Sequence, residues 1–128
     1  MSKTLIACFV LLLPALLQDG EWAASIERGA EVYAEYCITC HMAEGEGVEG
    51  AFPPLANADF LMADIDRAIE IAKYGQQGAI VVNGVAYDSY MAEIGLEDEE
   101  VVDVMNYVLN SWGNQYDKAI TLEQVKAL

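Results

Sequence analysis

Cys37-Ile38-Thr39-Cys40-His41 is the stretch of this sequence whose residue types and spacing can do chemistry. It reads C-x-x-C-H, the spacing at which a haem is attached to a chain. Two thiols three positions apart fall on one face at the end of a helical turn. There each can form a thioether with one vinyl group of a single haem. His41 follows directly and is held under the ring, with an imidazole nitrogen in reach of the iron. C-x-x-C also serves other chemistries. A redox disulfide of the thioredoxin kind wants a βαβ setting, whereas this motif ends an amphipathic helical pattern. A tetrahedral zinc site wants four ligands, and His41 is the only histidine. The motif therefore reads as a site for one covalent haem c with its iron.

A second axial ligand must come from elsewhere. Met42 adjoins His41 and cannot cross to the other face of the ring. Met105 falls in the apolar stripe of a helical segment, and Met62 in the first turn of another, so both read as core. Met91 lies in an irregular stretch, and a loop can pass over the distal face of a haem. Met91 is the expected ligand, a thioether that favours the reduced iron and raises its potential.

The elements that must position these residues are mostly helical. Ser25 can cap a helix through its hydroxyl, after which Ile26, Ala30, Tyr33, Ala34 and Cys37 keep helical spacing. Ala43 to Ala58 is loop, broken by Gly45, Gly47, Gly50, Pro53 and Pro54. Ala58 to Tyr74 predicts one helix, stopped at Gly75. Asn83-Gly84 sits between Ile80-Val81-Val82 and Val85-Ala86-Tyr87, which predicts a small hairpin with a type I′ turn. Glu97 to Trp112 is the strongest helix, with acids in its first turn and Gly113 after its end. A short helix over Thr121 to Leu128 closes the chain.

The opening residues read as an address rather than as fold. A charged start at Lys3 precedes the apolar run Leu5–Leu17, then Gln18-Asp19-Gly20-Glu21 and Trp22-Ala23-Ala24. That is the order of a secretory signal. The run is shorter than the ~20 residues of a membrane span, although an uncleaved anchor is the alternative. Cleavage is expected after Ala24, giving a signal over 1–24 and one domain over 25–128. Cys8 leaves with the signal, and the destination is the periplasm.

At this point the sequence resembles a class I cytochrome c, from Ile26 to about Asn114. The parts run in the family's order: Gly29 and Tyr33, C-x-x-C-H, Pro53-Pro54-Leu55, the Asn83-Gly84 hairpin with Tyr87, Met91, and a terminal helix with Tyr107. The stretch from Asn83 to Met91 and the closing Ser111-Trp112-Gly113-Asn114 look like a subgroup of small periplasmic carriers and dehydrogenase subunits. The resemblance implies an all-α fold of three to five helices around one haem, with a hairpin near residues 80–87. It also implies that the Pro53 carbonyl accepts a hydrogen bond from His41, that Leu55 packs on the haem, and that Gly29 meets Tyr107 where the first and last helices cross. Tyr87 and Trp112 have two readings, as partners of the haem propionates or as aromatic core with one polar tip. Two departures stand out. Ala92 follows Met91 where the family usually has proline, and Glu97 occupies a cap position usual for Ser or Thr.

Composition narrows the function. The 128 residues make one domain and are 55% apolar, enough for a core. Only 6 Lys and Arg stand against 21 Asp and Glu, for a net charge of −15. Phosphate backbones repel such a chain, which excludes nucleic acid and favours redox partners with basic docking faces. Glu44, Glu46, Glu49 and Glu93 crowd the segments around the motif and Met91, although a merely solvated surface explains them as well. The expected role is single-electron transfer by a diffusing periplasmic carrier, with no substrate transformed. A dedicated electron-accepting subunit of a periplasmic dehydrogenase or reductase is the alternative.

Overall fold

The computed structural model describes residues 3–128, with side chains from residue 17 onward. The signal expected over 1–24, Cys8 included, lies largely outside the described side chains. Among the described residues six helices and one two-stranded hairpin surround a single core.

Helix α1 spans Lys3–Tyr36. From Trp22 onward it holds no proline and one glycine, and its Ala, Glu and Arg residues favour helix. Ser25 is not its N-cap, as the spacing suggested, but lies within it. Its buried hydroxyl instead donates to Asp103 Oδ1 at 2.6 Å and accepts from Asn106 Nδ2 at 2.9 Å. A break at Cys37 separates α1 from α2, the single turn Ile38–His41. Met42, at a φ of 66°, ends that turn.

The helix expected over Ala58 to Tyr74 is two: α3, Asp59–Ala63, and α4, Ile65–Tyr74. Asp64 interrupts them with extended backbone, and its carboxylate accepts from the Arg67 amide at 3.0 Å. An aspartate so placed satisfies an otherwise unpaired N–H of the next helix, which stabilises the break. This split and the separate turn α2 raise the helix count above the three to five expected.

Strands β1, Ile80–Val82, and β2, Val85–Tyr87, pair antiparallel with Ile80 opposite Tyr87. Asn83 and Gly84 both take positive φ, as a type I′ turn requires. Helix α5 spans Asp98–Val108 and starts with a full capping box between Glu97 and Glu100. It stops four residues before the expected Trp112. Asn110 and Ser111 side chains donate to the carbonyls of Asn106 and Tyr107 and so compete with further helical turns. Helix α6, Leu122–Ala127, is capped by the Thr121 hydroxyl.

The core forms where α1 crosses α5. Tyr33, Val101, Val104, Val108 and Leu109 are buried there, and each such aliphatic contributes roughly 1.5–3 kcal/mol. Contact is closest at Gly29: a Cβ there would lie 1.9 Å from the Asp103 carbonyl oxygen and 2.7 Å from Tyr107 Cβ. Beside the crossing, Arg28 donates to both oxygens of Asp103, at 2.8 and 2.9 Å. Asn106 continues the network to the backbone of Ile120, which draws the C-terminal segment onto α5. Lys73 ties α4 to α6 through the Val125 carbonyl at 2.8 Å and to Asp98 at 3.2 Å.

Candidate cofactor site

The helices and the hairpin enclose a cavity of about 410 Å³ with predominantly apolar walls. Such volumes are those of small-molecule and cofactor sites. Cys37, Cys40 and His41 line it from the end of α1 and from α2, Pro53 and Leu55 from the loop that follows, and Met91 from the segment between β2 and α5.

His41 is buried, and its Nδ1 lies 2.9 Å from the Pro53 carbonyl oxygen. A carbonyl only accepts, so this contact places the proton on Nδ1 and leaves Nε2 with a free lone pair. Burial lowers the His41 pKa, and the bond to Pro53 offsets this only in part. A neutral imidazole with a fixed tautomer is the metal-binding form. Both thiols are unbridged. Burial, then the neighbouring Cys40, push the Cys37 thiol up to about 11.

The Pro53 carbonyl is itself held in place. Val48 and Phe52 exchange two backbone hydrogen bonds of 2.8 Å. The Gly45 carbonyl accepts from Leu55 at 2.7 Å and Ala56 at 2.9 Å, and the Gly47 amide donates to the His41 carbonyl at 3.0 Å. Gly47 has no room for a side chain: a Cβ would meet the Phe52 carbonyl oxygen at 2.3 Å and that of Pro53 at 2.8 Å. Three asparagines knit this loop to the rest. Asn114 donates to Leu55 and Val108 carbonyls and accepts from the Asn57 amide. Asn83, in the hairpin turn, donates to the Asn57 carbonyl. On the other side of the motif, the buried Tyr33 hydroxyl donates to the Met42 carbonyl at 2.7 Å.

Of the methionines considered, Met91 and Met105 line the cavity, whereas Met42 and Met62 do not. Met105 is packed into the buried face of α5, while Met91 sits on irregular chain. Its amide and carbonyl pair with those of Gln76. Leu55 and the buried Tyr87 also line the cavity. Trp112 does not. It packs at a tilt against Tyr33, 4.9 Å between centroids, and edge-on against Tyr107 at 5.5 Å, with Gly45 against its ring. These contacts support its reading as aromatic core with one polar tip.

Tyr36, Phe52 and Tyr90 also line the cavity and are 41%, 37% and 71% exposed, so they form its lip. Neither the loop 42–58 nor the segment 87–97 contains Lys or Arg, and both contain several acids. Sequence reasoning missed Gly47, Gly75, Gln76, Ser89 and the lip aromatics. The Gly-rich spacing of the loop was the one available signal, since contacts with distant backbone leave no local pattern.

Two thiols, a neutral imidazole and a thioether sulfur around one apolar cavity fit a covalently held haem c. The comparisons with known proteins agree. The family described as Cytochrome c matches residues 26–112. A cytochrome c-552 of Thermus thermophilus is 38% identical over 137 aligned positions, covering 100% of this chain and 86% of that protein. A second Thermus thermophilus cytochrome c-552 is 39% identical, covering 78% of this chain and 82% of the relative. The cytochrome c subunit of the quinone alcohol dehydrogenase of Gluconobacter oxydans is 31% identical, covering 86% of this chain but 25% of that subunit.

Proposed function

This chain belongs to the cytochrome c family, carries haem c and transfers single electrons, and from that premise we propose that it is a diffusing periplasmic carrier in which His41 and Met91 would ligate the haem iron. The iron, when bound, supplies the one-electron Fe(II)/Fe(III) couple. Cys37 and Cys40 hold the group covalently. The Pro53 carbonyl fixes the His41 tautomer, and the apolar walls exclude water. The chain transforms no substrate in this reading. It is exported by the signal over 1–24 and released after Ala24.

The observation that carries the ligand set is the 2.9 Å contact between His41 and Pro53 in a cavity that Cys37, Cys40 and Met91 also line. The test is Met91→Ala in the haem-loaded protein. Loss of the methionine–iron charge-transfer band of the ferric form supports the assignment, and its retention overturns it.

Coverage of 86% of the length of a cytochrome c-552 favours the free carrier. The apolar lip of Tyr36, Phe52 and Tyr90 favours the second reading, a subunit seated on a dehydrogenase or reductase. Size-exclusion of native periplasmic extract separates them: elution near the mass of the monomer supports the carrier, and salt-resistant co-elution with a larger protein supports the subunit. In either role the acidic loops suit a partner with a basic face.

A further inference from the structure

The segment that delivers Met91 lacks the proline the family usually has after the methionine, since Ala92 follows. A proline there would restrict the backbone and reduce the freedom of the loop. We propose that Gly75 and Gln76 are positioning residues for Met91, holding its backbone by direct pairing where the stiffness of a ring is absent. The proposal rests on Met91 being the second ligand.

The Met91 amide donates to the Gln76 carbonyl and the Gln76 amide to the Met91 carbonyl, each at 2.9 Å. The two residues form an isolated antiparallel bridge outside the hairpin. Both backbone hydrogen-bonding groups of Met91 are thereby fixed, while its side chain lines the cavity. Gly75 makes the approach possible. It ends α4 at a φ of +82°, and a Cβ on it would lie 2.3 Å from the Met91 carbonyl oxygen and 2.9 Å from Ala92 C and from Glu93 N. Only glycine tolerates that conformation and that contact together. Two residues before Met91, the Ser89 hydroxyl donates to the Ala51 carbonyl, on the loop that leads into Pro53. The segment is thus tied on both sides of the exposed Tyr90.

The pairing uses backbone alone, since the Gln76 side chain donates to the neighbouring Gln77 carbonyl. The identity of residue 76 should therefore matter little, and the absence of a side chain at 75 should matter much.

The test measures how fast Met91 leaves the iron, as the limiting rate of imidazole binding to the ferric, haem-loaded chain. Gly75→Ala should raise that rate by roughly three- to tenfold, the effect of losing a well-formed hydrogen bond. Equal rates for Gly75→Ala and the unaltered protein would overturn the proposal. Hydrogen exchange on the unaltered ferrous protein gives an answer even if Gly75→Ala does not assemble. The Met91 and Gln76 amides should exchange much more slowly than those of Ala92 and Glu93, and equal exchange would overturn the pairing. Met91→Ala serves as the control. If it leaves the ferric spectrum and the imidazole rate unchanged, the ligand reading fails first, and the exchange result still reports on the pairing alone.

Discussion

The imidazole of His41 and the carbonyl of Pro53 meet at 2.9 Å, and Gly47 stands against that same carbonyl with no space for a methyl group. The bond from Nδ1–H makes the imidazole more electron-rich, which favours ferric iron. Gly47→Ala must push the carbonyl aside and weaken the bond. The reduction potential should then rise by roughly 20–65 mV, the one-electron equivalent of about 0.5–1.5 kcal/mol. Protein-film voltammetry reads this directly, and an unchanged or lower potential would count against the role of Pro53.

Acid should destabilise the protein through its single histidine. Burial keeps the His41 pKa below the ordinary 6.5, so the unfolded chain binds more protons than the folded one between the two values. The stability that neutral His41 contributes is complete above pH 6.5 and is lost as pH falls through the folded value. A bond to iron acts in the same direction. Urea midpoints should be flat between about pH 7 and 8 and fall as pH drops below 6.5. About 0.5 M salt should be present to screen the −15 net charge. A midpoint that rises on acidification would contradict this account.

Gly29→Ala should be among the most damaging single-methyl changes in the chain. The added carbon would sit 1.9 Å from the Asp103 carbonyl oxygen, and two packed helices must separate to admit it. A loss of about 3 kcal/mol, the upper range for overpacking, is expected in chemical denaturation. Gly50→Ala makes the control for the added methyl, since nothing lies within 4 Å of a Cβ there. Its positive φ still imposes some strain.

Asp103→Ala removes the acceptor for Ser25 and for both donors of Arg28. The Arg28 side chain is half exposed, so its ion pair contributes little. Most of the cost falls on the buried Ser25 hydroxyl, and a loss of about 2–3 kcal/mol follows. Asp103→Asn can still accept from Ser25 and should lose about half as much. Equal losses for the two variants would place the weight on charge instead.

Electron exchange with a basic redox protein should slow as salt is added. Raising ionic strength from about 10 to 150 mM shortens the screening length from about 30 to 8 Å. Replacing Glu44, Glu46 and Glu49 together with Gln should flatten that dependence, as read by stopped-flow. A triple variant with an unchanged salt slope would leave those acids a solvated surface.

The sequence revealed the chemistry more fully than the supports of that chemistry. C-x-x-C-H, the Asn83-Gly84 turn and the Glu97 cap are local patterns, and local patterns are what spacing exposes. Asp64 was hidden because the apolar period runs through it unbroken, although its side chain stops one helix and starts the next. Ser25 read as a cap because serine favours that position, but here tertiary packing outweighs propensity, and Asp103, 78 residues away, takes its hydroxyl. Gly47 and Gly75 were legible as loop and stop. Their contacts with Pro53 and Met91 were not, because those partners are set by the folded topology.

The crossing of α1 and α5 also decides when the molecule can become itself. The first helix buries its face chiefly against residues 98–108, which lie far from it along the chain. A chain whose decisive contacts are so remote in sequence must close a long loop before they form, and folds slowly. Cys37 and Cys40 end up half-buried, whereas on the open chain both are exposed. Slow closure leaves a period in which both sulfurs can be reached before the cavity forms around them.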